Sequence, residues 1–290
     1  MLYLSAVVST IVTVLAFPEG NSTAEMKELN EPISQIDDGE MEPRTFLKDS
    51  RYLWPVSNTS AGPVVFIPYQ LNSLEPEVEN LVLYYIGSFK NHSCIQWIPR
   101  TNEQDFVIFE SAFTNGTKVN RCYTNSIGRR GGSQFIRINS MCLKLRQPLR
   151  NEKGIAHEMM HTLGFTHEQQ RRDSRCYLNV SQEGESDKSI KVYRRRLTDI
   201  NFPYDFESIM HYTGGRKFVS LQGKPIGATG PGPSWQDWRK INYLYCSAKH
   251  ICEDKIDLCE EHKRYLKQCY QDGHLVYDKS DKFIEIEDTA

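Results

Sequence analysis

The chain has 290 residues, 39% hydrophobic and 25% charged, enough to bury a core in one large domain or two modest ones. Lysine and arginine number 35 against 37 aspartates and glutamates, and a formal net charge of −2 provides no basic field for a nucleic-acid backbone. No internal run reaches the roughly 18 apolar residues of a membrane-spanning helix, so once a leader is removed neither nucleic acid nor a membrane is an expected partner.

In chain order, the apolar run Leu2 to Phe17 comes first, with Val14 and Ala16 as the small residues ahead of a cleavage site. Residues 1–16 therefore read as a signal peptide, with an uncleaved anchor or a buried strand as the alternatives. Residues 17–44 are polar and acidic, a linker or pro-segment. The composition changes at Tyr52-Leu53-Trp54-Pro55, and Val64 to Pro68 reads as a buried strand. Val78, Val82, Tyr85, Ile86 and Phe89 share one helical face. Strands are predicted at Cys94–Ile98 and Phe106–Phe109, a glycine turn at Gly128–Gly132, and a half-exposed alternating strand at Gln134–Ile138. A helix from Ile155 to Leu163 stops at Gly164, and residues 168–200 look charged and irregular. The glycine- and proline-rich stretch 214–233 is mostly loop. Ser234 then caps a short helix, with Asp237 three residues on and Trp238, Ile241 and Tyr245 on one face. After Cys246 the chain becomes highly charged, and residues 247–290 read as a small appendage outside the main core.

Eight cysteines in a chain with a leader point to disulfides and an extracellular location, and the lack of any CxxC pair argues against a cysteine zinc site. N-glycosylation sequons at Asn21, Asn58, Asn91, Asn115 and Asn179 agree with secretion.

The chemistry sits in His157-Glu158-Met159-Met160-His161-Thr162-Leu163-Gly164-Phe165-Thr166-His167-Glu168. On a helix His157 and His161 are i and i+4 and leave the same face. Gly164 can end the helix at positive φ and let the chain bring back His167 as a third ligand. Three imidazoles leave a coordination place for water, the mark of a catalytic zinc ion. Glu158 lies beside the first ligand, within reach of that water. Downstream, Ser208-Ile209-Met210-His211-Tyr212 would place Met210 as an apolar floor beneath the metal, with His211 structural.

From about Tyr52 to Cys246 the chain resembles the astacin family of zinc metalloendopeptidases. The resemblance rests on the HExxHxxGFxHE form of residues 157–168, its R-x-D continuation at Arg171 and Asp173, the SIMHY turn, Tyr52–Pro55, and Ile241–Tyr245. It implies an α+β metzincin-type domain of two subdomains over residues 45–246, with the active-site helix below a twisted mixed sheet and a short cysteine-containing extension over 247–290. It implies one zinc ion per chain on His157, His161 and His167, Glu158 as general base and then acid, and protein or peptide substrates. Tyr212 would be a fifth, weak zinc ligand that swings to donate a hydrogen bond to the oxyanion. It also implies the disulfides Cys94–Cys246 and Cys122–Cys142, with substrate added as an antiparallel strand near Cys122–Asn125. The partners of Cys176, Cys252, Cys259 and Cys269 stay open among three connectivities.

The family is made as zymogens. The resemblance implies activation by a trypsin-like protease between Arg44 and Thr45, after which the new amine pairs through water with Glu168. Asp37 and Asp38 are the candidates for a pro-segment carboxylate on the zinc, with a solvated acidic linker as the alternative. The tail faintly resembles the start of a toxin-like ShK module, but a disulfide-stapled helical extension is preferred. The competing functional classes are a non-catalytic secreted binding protein and a structural zinc protein closed by Tyr212.

Overall fold

The apolar run that begins at Val64 forms the spine of the sheet that carries the site. A computed structural model describes residues 50–111, 113–114, 117–118, 121–145, 151–188, 202–227 and 230–271. The expected leader, the expected pro-segment with Asp37 and Asp38, the expected Arg44–Thr45 cleavage point, Asn21 and Asn115 all lie outside the described residues. Asn58, Asn91 and Asn179 are exposed.

β1 (Val56–Thr59) turns back antiparallel onto β2 (Gly62–Asn72), which buries Val65 and Ile67 completely. α1 (Pro76–His92) follows, and its buried residues Val78, Val82, Tyr85 and Phe89 fall at the helical spacing seen in the sequence. β3 (Ile95–Pro99) and β4 (Phe106–Ser111) both pair parallel with β2. After the short hairpin β5 (Phe113–Thr114) and β6 (Thr117–Lys118) comes β7 (Tyr123–Thr124), antiparallel to β8 (Ser133–Ile138), which lies parallel to β4. The result is a mixed six-stranded sheet with β7 at its edge. Alternation along β8 is as expected: Gln134, Ile136 and Ile138 are buried, while Phe135 and Arg137 are half-buried with the Arg137 guanidinium 3.9 Å from the Phe135 ring.

α2 (Gly154–Thr162) packs against this sheet and α1, with Ile155, Ala156, Met159 and Met160 in the main core. The last carbonyls of a helix lack intrahelical partners. Here they are met from three directions. Gly128 N–H donates to His161 O at 2.8 Å, Trp54 Nε1 to Thr162 O at 2.9 Å, and the Tyr245 hydroxyl to Leu163 O at 2.8 Å. Trp54 of the 52–55 stretch and Tyr245 of the 241–245 stretch thus fasten the end of α2.

Residues 168–188 differ from the irregular, charged stretch expected. They hold a turn at Glu168–Gln170, then α3 (Ser174–Tyr177), β9 (Leu178–Val180) and α4 (Gln182–Ser186). Arg171, Asp173 and Ser174 are fully buried, and the charges of Arg171 and Asp173 are paired internally. β10 (Phe218–Ser220) pairs with β9 out of the glycine-rich loop, and Gly214 is needed there: a Cβ would lie 1.9 Å from Phe218 O.

α5 (Trp235–Tyr245) begins with the expected capping box between Ser234 and Asp237. The extension then corrects the sequence reading of an appendage outside the core. α6 (Ile251–Asp254) puts Ile251 into the main core, and α7 (Ile256–Gln271) adds Cys259 to it. α7 also places Leu266 and Cys269 in a second cluster with Tyr177, Tyr204, Phe206 and Phe218. The spacing Cys259, His262, Leu266, Cys269 is one helical stripe, and all of it is buried. No helix among the described residues is long and apolar enough to cross a membrane.

Four disulfides are present. Cys94–Cys246 and Cys122–Cys142 are the pairs the resemblance implied, and Cys176–Cys269 and Cys252–Cys259 settle the open four. Cys176–Cys269 spans 93 residues. Replacing both cysteines by serine is expected to cost about 2–5 kcal/mol, read as a lower denaturant midpoint; an unchanged midpoint would show that α7 holds without the bridge.

Candidate metal centre

His157 and His161 project from one face of α2, as their spacing requires. The helix ends at Thr162 with Leu163 as its cap, Gly164 turns at φ 99°, and His167 returns to the same point. The three side chains form a cluster able to hold one metal ion.

The Nδ1 atoms decide how the rings point. His157 Nδ1 lies 2.8 Å from Ile209 O, His161 Nδ1 2.8 Å from Phe165 O, and His167 Nδ1 2.8 Å from Gln170 Oε1. Each partner is an acceptor, so each Nδ1 carries the proton and each Nε2 is left with a lone pair. Those lone pairs converge: His161 Nε2 is 3.1 Å from His167 Nε2, which is 3.3 Å from His157 Nε2. Neither contact can be a hydrogen bond, because no proton remains on either atom. Nitrogens held ~2.0–2.1 Å from one tetrahedral zinc ion lie about 3.3 Å apart. The donor set therefore fits zinc. Burial first, then the neighbouring imidazoles, hold His161 well below the ordinary histidine range and His167 down at about 3, so both are neutral, as imidazole ligands must be.

Glu158 is buried beside this cluster. Burial pushes its carboxyl up, against the opposing effects of His157, a hydrogen bond from the Thr124 backbone, and Arg121. The bond to Thr124 places the carboxylate directly under the edge strand β7.

The turn that carries Met210 supports the ligands through its backbone. Ile209 O receives His157, Met210 O accepts from Glu168 N–H at 3.0 Å, and Met210 itself is buried. Asp237 ties the turn to α5: it accepts from Ser208 Oγ at 2.7 Å, Ile209 N at 2.8 Å and Ser234 N at 2.9 Å. Tyr212 is 38% exposed, with its ring centroid 4.5 Å from that of His167 and 6.4 Å from that of His157. Its N–H donates to Gln169 Oε1 at 3.1 Å. His211 faces away from the cluster. Its Nδ1 lies 2.9 Å from Tyr212 O and its Nε2 2.8 Å from the Tyr204 hydroxyl, and burial depresses it to about 4.

Behind His167 lies a buried ionic cluster that the sequence reading missed. Glu168 accepts from Arg171 Nη1 at 2.8 Å, Lys240 Nζ at 3.0 Å and Asp205 N–H at 3.0 Å. Arg171 also grips Asp173 with Nε and Nη2 at 2.8 and 2.7 Å. Burial alone would raise the Glu168 carboxyl, but Lys240 and Arg171 outweigh it and hold it at about 2. Gln169, Gln170 and Lys240 also went unassigned in the sequence, and Asp237 was read only as part of the helix cap. The available signals were two amides directly after the third histidine and its glutamate, and a lysine at i+3 from Asp237 on the buried face of α5.

A helix that offers two imidazoles and a carboxylate, closed by a third imidazole after a glycine turn, has the donor set of an open zinc site. Residues 59–246 match the model of the astacin peptidase family. The chain belongs to the astacin family. It is 32% identical over 199 residues to high choriolytic enzyme 1 of Oryzias latipes, covering 64% of this chain and 68% of that protein. The solved structure of that enzyme, a hatching enzyme zinc-protease, covers 68% of this chain and 96% of its own, with 31% identity and a TM-score of 0.55. Embryonic protein UVS.2 of Xenopus laevis is 31% identical over 217 residues and zinc metalloproteinase nas-30 of Caenorhabditis elegans 30% over 198. The matched part covers 70% and 63% of this chain but only 38% and 24% of those proteins.

Removing Arg171 leaves Glu168 and Asp173 buried with too little positive charge. Arg171→Met is expected to destabilise the fold by about 3–5 kcal/mol, measured by chemical unfolding of the zinc-loaded protein. A loss under about 1 kcal/mol would mean that the cluster relaxes without it.

Proposed function

We propose that the protein is a secreted zinc metalloendopeptidase, made as a zymogen, that hydrolyses internal peptide bonds of proteins. One observation carries the reading: three Nε2 lone pairs meet at a point flanked by the buried carboxylate of Glu158. When bound there on His157, His161 and His167, zinc would supply polarisation of the scissile carbonyl and a water of pKa about 7.

The chain's own groups do the rest. β7 is the edge of the sheet, so an extended substrate adds to it as an antiparallel strand alongside Tyr123 and Thr124. Glu158, beneath that strand, accepts the proton of the attacking water and returns it to the leaving amine. A carboxyl raised by burial suits that double role better than a fully solvated one. Tyr212 stands over the imidazoles with an exposed ring. In the resting enzyme its phenol would be available as a weak further ligand to the metal, and with substrate bound it would donate to the developing oxyanion. Met210 fills the floor under the ligand rings.

Latency follows from the segment before the domain. A trypsin-like protease cuts between Arg44 and Thr45, Asp37 or Asp38 would be the carboxylate that holds the metal before the cut, and the new amine pairs through water with Glu168. A carboxylate has about four acceptor sites, so a water that bridges to the amine adds to Arg171, Lys240 and the Asp205 N–H without displacing them. The exposed Asn58, Asn91 and Asn179 are available to glycosylation, as an extracellular protein would use them.

Glu158→Gln is expected to retain one zinc ion per chain and to lose at least about 100-fold in kcat on a peptide substrate. Wild-type turnover in that variant would remove the general-base role. A chelator should abolish fragment release by the wild type, and added zinc should restore it; release that persists without metal would overturn the assignment. Sequencing of the active form should begin at Thr45, and a start beyond Tyr52 would rule out this activation.

A further inference from the structure

The C-terminal extension lies beyond the matched family domain, which ends at residue 246, yet it reaches the layer on which the Met210 turn rests. His262 of α7 is buried. Its Nδ1 lies 2.6 Å from the Tyr177 hydroxyl, and its Nε2 faces Asp173 Oδ2 at 4.0 Å. With the carboxylate on the Nε2 side, that nitrogen carries the proton and Nδ1 accepts from Tyr177.

The Tyr177 ring stacks on Tyr204, with centroids 4.3 Å apart and planes 12° apart. Tyr204 donates to His211 Nε2 at 2.8 Å, and His211 Nδ1 donates to Tyr212 O at 2.9 Å. A continuous buried path therefore runs from α7 to the backbone of the tyrosine beside the metal ligands. Two further ties hold α7 in register with it: the Tyr265 hydroxyl donates to Cys176 O at 2.7 Å, and Cys176 is joined to Cys269. A helix needed only to cover apolar surface would require neither a buried histidine nor a hydroxyl in this path. Both are polar groups that must find a partner where they are buried or they destabilise the fold.

We propose that α7 is a working part of the catalytic domain and that His262 is a positioning residue, which acts through Tyr177, Tyr204 and His211 to set the orientation of Tyr212. This rests on the reading of Tyr212 as the oxyanion donor. The hydroxyl of Tyr212 contributes to turnover only when its backbone is held; Gln169 Oε1 holds its N–H, and the hold on its carbonyl originates 50 residues downstream, in a segment outside the family domain.

The test is a double-mutant cycle in the full, activated chain, with kcat, KM and zinc content measured on one peptide for His262→Leu, Tyr212→Phe and the pair. His262→Leu is expected to lower kcat about tenfold with KM and zinc content unchanged, and to have no further effect in the Tyr212→Phe background. His262→Asn, whose Oδ1 can accept from Tyr177, should recover most of the loss. If His262→Leu does not fold, Tyr177→Phe removes the hydroxyl while keeping the stacked ring and should show the same coupling. Equal kcat losses with and without the Tyr212 hydroxyl, or no loss in any of the His262 and Tyr177 variants, would overturn the proposal and leave the oxyanion reading standing. A Tyr212→Phe enzyme as fast as wild type would instead overturn the oxyanion reading, and this proposal with it.

Discussion

Three protons fixed on Nδ1 decide what this chain can do. Ile209 O, Phe165 O and Gln170 Oε1 each take one, and the opposite nitrogens of His157, His161 and His167 are left facing one another unprotonated. Bringing such lone pairs to within 3.1 and 3.3 Å is repulsive unless a cation lies between them. The fold must therefore supply rigidity at every acceptor, and much of its remaining architecture can be understood as that supply.

The acceptors come from different places. Phe165 O follows the glycine turn of α2, whose end is fastened by Trp54, Gly128 and Tyr245. Ile209 O belongs to a turn held by Asp237 from α5, and Gln170 sits in the turn anchored by Glu168 and Arg171. The buried charges are thus part of the metal centre although none of them touches it. Such clusters contribute little net stability against apolar packing but strongly penalise any rearrangement that separates their members. That is the property a preorganised site requires.

How much of this was legible in the sequence follows from how local each feature is. The histidine spacing, the glycine after the helix, and the Ser234–Asp237 cap lie within a few residues of one another, and the structure reproduces them. The Glu168–Lys240 pair joins residues 72 apart, and a lysine on a helix face shared with Gln236, Asp237, Ile241 and Tyr245 does not name its distant partner. α7 misled the reading for a different reason. Its stripe of Cys259, His262, Leu266 and Cys269 has the spacing of a buried face, but the charged residues around it dominate the composition and describe only the side turned to water. The partners of Cys176, Cys252, Cys259 and Cys269 were undetermined because cysteine spacing does not encode pairing.

The bridges Cys94–Cys246 and Cys176–Cys269 have a shared topological effect. Both cross every peptide bond between Cys176 and Cys246. A single nick anywhere in that interval, which includes the arginine run 194–196, yields two polypeptides still joined by two covalent links. One piece holds all three histidines and the other, for cuts before Ser208, holds the methionine floor and Tyr212. Such a protein would run as one band without reductant and two with it, and in an environment rich in proteases it would survive damage as a two-chain form.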